Sequence, residues 1–537
     1  MSGVSRRRFL QLSAGSPLAQ SGAPAAAEEP ISIDSGRQLF VDDYLIAETT
    51  LHRRFHKPEI DPASPVLKPE TPLELNRGVM PAAAPFSDGV WYDPRDRLYK
   101  LWYVAGYDDG FALATSEDGI HWQRPGLDVV PGTNCVLAPI PGYERNGSTV
   151  WLDHEATDPS ERFKMFAYFR RGTGSWPRRD PVPLPADPEQ SFLFTSPDGI
   201  HWARRVRTGP CGDNSGMFYN PFRKMWTHSI RTSDSRHGRT RSYYEHPHFL
   251  TGAQWASPDV KFWAAADALD LPDSALWYRP ELYKVDCVAY ESRMLGLFAI
   301  YFGPPNQIAY SQGYPKTNDL FLAFSRDGLA WDRPDRTAFL RCSRQKGTWN
   351  RGYLHSAGGL CLIVGDEIHF YFTAFSGLSP AQGGGPYAGA STGLARLRRD
   401  GFASMDAPGI PMPPTTAPPG ILTTRPITFS GRYLFVNANV KPGELRVEVL
   451  DDDGRTIEPF TLANSVPLTA DATKQAVLWK GAADLRPLAG KPICFRFQVT
   501  AGELYAFWVS RDVSGASHGY VAAGGPGFTG ATDTTGA

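Results

Sequence analysis

The sequence has no apolar run near the roughly 18 residues that cross a bilayer, so a membrane span is not expected. Cysteine is scarce. The six (Cys135, Cys211, Cys287, Cys342, Cys361, Cys494) are widely separated and include no C-x-x-C, which excludes a disulfide framework and a zinc cluster. One disulfide remains open, with no pairing to assign. Excess charge is also missing: 55 Lys and Arg stand against 56 Asp and Glu, with a pI near 6.9 and no basic stripe. That balance argues against nucleic acid as a partner. Helical periodicity is rare. G-x-S-x-G, H-E-x-x-H and a phosphate-cradling glycine loop in strand–turn–helix context are all lacking, which removes the serine-elbow, zincin and P-loop chemistries. "HPHF" (His246–Phe249) has no placed carboxylate beside it and reads as a loop.

Aromatics and turn formers are abundant. Phe, Trp and Tyr make up 12% of the chain and prolines number 47, a composition that suits a β-rich protein with many loops. Ser-x-Asp-Gly-x-x-Trp occurs three times, as Ser116/Asp118/Trp122, Ser196/Asp198/Trp202 and Ser325/Asp327/Trp331. A fourth copy, Ser257/Asp259/Trp263, lacks the glycine; a decayed fifth keeps Asp400 and Gly401. Starting the fifth at Arg398, the intervals are 80, 61, 68 and 73 residues, the mark of radial repetition. Within the first unit, "GVWYDPRDRLYKLWYVAGY", "GFALATS" and "IHW" read as strand, turn, strand, strand, tight turn, strand. Asp-Gly supplies the positive φ that such a hairpin needs. Four strands per unit and five units predict an all-β fold, a five-bladed β-propeller over residues 28–404. The hairpin Trp residues are expected to be structural.

The ends read differently. Ser5-Arg6-Arg7-Arg8-Phe9-Leu10 and small residues before Glu28 resemble a twin-arginine export signal over residues 1–27, implying a periplasmic or extracellular protein. Residues 405–420 are a proline-rich linker. Short alternating strands over 421–512 predict a β-sandwich. The Gly/Ala/Thr-rich tail, 513–537, is expected to be disordered.

A five-bladed propeller, linker and sandwich resemble glycoside hydrolase family 32, and the propeller alone also resembles family 43. The likeness is carried by "LFVDDYLI" (Leu39–Ile46) with "RRFHKP", by the hairpins, and by "RRDGFASMDA" leading into "TTRPITFSGRYLFVNANVKPGELRVEVLD". The resemblance implies acids at the starts of innermost strands facing an axial funnel, one from blade one as nucleophile or base and one from a later blade as acid. The positions so implicated are Glu74 and Asp88 in blade one, Asp213 before blade three and Glu281 opening blade four. Where family 32 has Arg-Asp-Pro, this chain has Arg145-Asn146, an amide in place of the acid. Arg145, Asn146 and His355 are candidate hydroxyl-binding residues.

The resemblance implies an exported glycosidase acting on a poly- or oligosaccharide; exo action is expected. Since the propeller relatives include both retaining and inverting enzymes, inversion is expected only from the departure of Arg145-Asn146 from family 32. The resemblance implies no redox cofactor, and any metal would be structural, such as a calcium ion on the axis. Because of the blade-two amide, the alternative is a non-catalytic carbohydrate-binding propeller. Phosphorolysis would need a cationic phosphate pocket that spacing does not assemble. Oligomeric state is not legible in the sequence.

Overall fold

A computed structural model describes residues 29–137, 143–171, 189–407, 418–441 and 443–537. The expected export signal and most of the proline-rich linker lie outside them. The described residues are mostly β-strand; their α-helices are two short ones, α1 (Pro72–Leu75) and α2 (Asn306–Gln312). No helix among them is long and apolar enough to cross a membrane.

Five strands set the centre: β1 (Ala82–Asp93), β2 (Tyr143–Leu152), β3 (Gly216–Asn220), β4 (Glu281–Glu291) and β5 (Gly352–Ser356). All twelve residues of β1 and all five of β5 are buried, the pattern of strands covered on both faces rather than one. Each opens an antiparallel set, with β2 leading into Phe163–Arg171, Glu189–Ser196 and Ala203–Arg207. β1 packs on β2, β2 on β3, β3 on β4 and β5 back on β1. The strands Arg293–Tyr301 and Asn318–Ser325 carry the contact from β4's sheet to β5, so the sheets close a ring. The N-terminal Glu59–Ile60 pairs with Ala390–Arg398 in the β5 sheet, joining the first part of the ring to the last.

The repeated hairpins hold neighbouring sheets together. In each, the serine Oγ accepts from the glycine N–H (2.9 Å at Gly119 and Gly199, 2.8 Å at Gly328), and the aspartate Oδ1 accepts the next two amides. The buried glycine carbonyl is then gripped by another repeat unit: Tyr371 Oη donates to Gly119 at 2.7 Å and Trp102 Nε1 to Gly199 at 2.8 Å. Gly199, at φ +79°, is also obligatory on space, since a Cβ there would lie 2.5 Å from the Trp102 ring. Of the hairpin tryptophans Trp122 is buried, while Trp202 and Trp331 are half-buried against the same core. The motif is structural.

A second, separate core lies between two C-terminal sheets. One runs Asp471–Ala476, Tyr433–Asn439, Glu503–Ser510, Ala403–Asp406, His52–Phe55; the other runs Leu445–Leu450, Cys494–Val499, Gly420–Thr424, Ile46–Thr49. The expected boundaries, 28–404 and 421–512, therefore need correction. N-terminal residues 38–55 and the strand 403–406 are built into these sheets, where they cover edges that would otherwise stand open.

The tail is a further correction. Tyr520–Val521 pairs with Tyr290 and Glu291 at the end of β4, and Val521 and Ala523 are fully buried. Its glycines allow backbone contact: a Cβ on Gly525 would lie 1.8 Å from the Ile363 carbonyl oxygen, and one on Gly519 2.1 Å from Glu291 Oε2. A composition typical of disorder is here one that fits a crowded surface. Cys135, Cys287, Cys342, Cys361 and Cys494 form no disulfide among the described residues.

Candidate functional site

Between Ala84 and Gly89 the ladder of β1 breaks, and the non-glycine residues Phe86 (φ 38°) and Ser87 (φ 71°) take left-handed backbone. The irregularity turns three consecutive side chains toward the ring's axis. Phe86 packs against the His355 ring, tilted by 43° with centroids 4.2 Å apart. Ser87 Oγ donates to Asp286 of β4 at 3.0 Å, and Ser356 Oγ donates to the same carboxylate at 2.6 Å. Asp88 is fully buried; its Oδ1 accepts from Arg145 Nη1 at 2.8 Å and from Ser148 Oγ. Burial pushes the Asp88 carboxyl up to about 6, against the opposing pull of Arg145.

Above this polar floor is a cavity of about 120 Å³, at the N-terminal ends of β3 and β4. Asp213, just before β3, is its acid, paired with Arg231 at 3.0 Å. Tyr283 of β4 and Tyr387 supply aromatic faces. Lys316 Nζ donates to Tyr283 Oη at 2.8 Å and lies over the rings of Tyr283 and Tyr387. Burial would raise the Tyr283 phenol, but Lys316 and Arg239 hold it below its usual value. Arg170, Arg239 and Arg241 complete a strongly cationic wall. Arg170 is anchored by Asp108 at 2.9 Å, and burial raises that carboxyl despite the arginine.

A larger groove, about 880 Å³, lies outside the ring along Trp263, Trp277 and Arg333. Its acids are consumed: Arg336 holds Asp267 at 2.8 Å and Arg333 holds Asp270 at 2.6 Å. The axial cavity is the better candidate.

The structure separates the seven sequence candidates. Asp213 faces the cavity. Glu281, one quarter exposed, stands behind the wall and pairs with Arg239. Glu74 does not belong to the site: it closes the capping box of α1, accepts from the amides of Glu70 and Thr71 at 2.9 Å, and takes Tyr103 Oη at 2.6 Å and Arg124 Nε at 2.7 Å. Those bonds hold its carboxyl below the usual range although burial opposes them. Asp88 and Arg145 form a pair beneath the cavity rather than in its wall. Asn146 reaches the wall indirectly, through Asp108 (2.9 Å) and then Arg170. His355 is fully buried with neither ring nitrogen hydrogen-bonded. Burial, then Lys284, Lys316 and Arg241, drive it well below its normal value, so it is neutral.

Sequence reasoning missed Arg239, Arg241, Tyr283 and Lys316. The signal for the first two is Arg239-Thr240-Arg241, where strand alternation puts two arginines on one face. Among the described residues, no group of three or more His, Cys, Asp or Glu is placed to hold a metal.

No protein-family model matches the chain. It is 31% identical over 98 residues to the sucrose-6-phosphate hydrolase of Escherichia coli, a match covering 18% of this chain and 20% of that protein. The chain thus spans about a fifth of the length of the curated relative it matches. Among solved structures it is similar to a fructofuranosidase from Schwanniomyces occidentalis complexed with fructose (12% identity, TM-score 0.35, 81% of this chain and 97% of that one). It is also similar to a thermostable family-43 glycoside hydrolase (12%, 0.38, 59% and 92%) and to a β-1,2-mannobiose phosphorylase from Listeria innocua (11%, 0.39, 64% and 97%). At these scores the activity must be argued from the chain's own residues.

Proposed function

We propose that the chain is an exported glycosidase that binds the end of a poly- or oligosaccharide in the axial cavity. In this reading the ring of sheets is a five-bladed propeller, the two C-terminal sheets are a sandwich completed by residues 38–55, and residues 1–27 direct export. One observation carries the functional reading: a carboxylate, Asp213, held against an arginine in a small axial cavity with tyrosine faces. Carboxyl groups flanking a sugar are what glycosidic cleavage requires. Asp213 and Glu281 are the pair nearest that arrangement, and Asp88 beneath them retains a proton toward neutral pH. A cavity of about 120 Å³ suits one terminal residue and hence exo action. Inversion is favoured because the Arg145-Asn146 position departs from family 32.

A second reading, a non-catalytic carbohydrate-binding propeller, is favoured by the withdrawal of both blade-one acids, Glu74 and Asp88, from the cavity wall. Hydrolysis of a polysaccharide panel by the full chain, with the product anomer followed by NMR, decides between the two. Asp213→Asn and Glu281→Gln should each lower turnover about 10²–10⁴-fold. Sugar binding without turnover by the unaltered chain would leave the binding module.

A further inference from the structure

The cavity wall holds more positive charge than its own carboxylates satisfy. Arg231 is paired with Asp213, Arg239 with Glu281 and Arg170 with Asp108. Arg241 and Lys316 have no ion-pair partner among the described residues. Arg241 is fully buried, and among the described residues its only side-chain hydrogen bond is from Nη1 to the Asn214 carbonyl at 2.9 Å. Its Nε and Nη2 have no partner. Lys316 is 2% exposed and donates to a phenol.

A buried cation without a counter-ion is costly, and proteins otherwise pair such charges or leave them out. The hydroxyls of a neutral sugar would accept the free N–H groups but leave both cations with only the longer-range field of carboxylates such as Asp213, which is already paired with Arg231. An oxyanion does both, because a carboxylate, sulfate or phosphate group takes a guanidinium edge in two-point fashion. The room is adequate: the cavity of about 120 Å³ far exceeds the ~10–15 Å³ that admits one water.

We propose that the axial cavity is an oxyanion site in which Arg241 and Lys316 bind a negatively charged group. This deepens the glycosidase reading and rests on the same cavity. The anion has two sources: an acidic substituent on the sugar itself, such as a uronic carboxylate or a sulfate ester, or free inorganic phosphate bound beside a neutral sugar. Burial lowers the Arg241 guanidinium only to about 10, so it remains charged at neutral pH.

Calorimetric titration of the full chain with D-galacturonate, D-galactose, sodium phosphate and sodium sulfate, at matched ionic strength, tests the site without requiring turnover. Galacturonate binding at least about tenfold tighter than galactose assigns the anion to the sugar. Phosphate or sulfate binding without that preference assigns it to a free ion. Arg241→Gln and Lys316→Gln should each weaken the anion about tenfold or more, and thermal melting verifies that each variant is folded. If no anion binds, or galactose and galacturonate bind equally and neither substitution alters the ions, the proposal is overturned. The glycosidase reading would survive that result, while anion binding by a chain that cleaves nothing would retain this site and discard the hydrolase.

Discussion

β4 ends in buried charge at both extremities, and the two clusters are built on opposite principles. At its C-terminal end, Glu291, Asp400 and Asp533 alternate with Arg37 and Arg399. Arg37 Nη1 meets Asp400 at 2.7 Å, and Arg399 Nη2 meets Glu291 at 3.1 Å and Asp533 at 2.9 Å. Tyr290, Asn437 and Ser517 supply further hydrogen bonds at 2.7–2.9 Å. These residues come from the N-terminus, β4, the turn after Ala390–Arg398, the strand Tyr433–Asn439 and the tail, so the cluster fastens five separate pieces of chain. At the N-terminal end, Arg241 and Lys316 make no ion pair among the described residues, and the cavity's one lining carboxylate, Asp213, is paired with Arg231. Cations each held by carboxylates mark a lock; buried cations that make no ion pair beside a cavity mark a site that expects a ligand.

Substitutions distinguish the two ends. Arg37→Met should cost about 3–5 kcal/mol, because it leaves Asp400 buried without its ion-pair partner and Glu291 with Arg399 alone. Urea denaturation measures it, and a cost below about 1 kcal/mol would break the comparison.

Ser517→Ala removes one hydrogen bond to the buried Glu291 carboxylate and should cost about 1.5–3 kcal/mol by the same measurement. A loss in that range also shows that the tail is part of the folded unit in solution.

Arg241→Gln should shift stability by no more than about 1 kcal/mol in either direction, since it removes an uncompensated charge rather than creating one. Anion binding, in contrast, should be lost. A large destabilisation with unchanged binding would place Arg241 among the locks.

The smallest effect concerns pH. Asp88 has its folded value raised to about 6, so the native state holds this proton more tightly than the unfolded chain. Its contribution to stability is fully present below about pH 4 and falls as pH rises from about 4 to about 6. Asp88→Asn should flatten that part of the stability–pH profile relative to the parent chain. Parallel profiles would show that Asp88 titrates normally.

The hairpins, the alternating strands and the second core were legible in the sequence because they depend on local rules. Asp-Gly takes positive φ wherever a tight turn is needed, and the side-chain period of a strand does not depend on its neighbours. The candidate acids were legible only as residue types. Glu74 shortly precedes β1 and Asp88 lies within it, yet one caps a helix and the other sits under the cavity, a distinction made by Tyr103, Arg124 and Arg145 from elsewhere in the chain.

By itself the sequence determined that this chain folds into repeated antiparallel sheets tied by Ser-x-Asp-Gly hairpins, since each copy carries its own hydrogen bonds within seven residues. Only the tertiary structure decided that residues 38–55 complete the C-terminal sheets, that a glycine-rich tail is packed, and that a chain with a net charge of −1 gathers unpaired cations on its axis. The reason is physical: whole-chain charge and composition are sums over residues, whereas pairing, desolvation and close approach depend on which distant residues share a few ångströms.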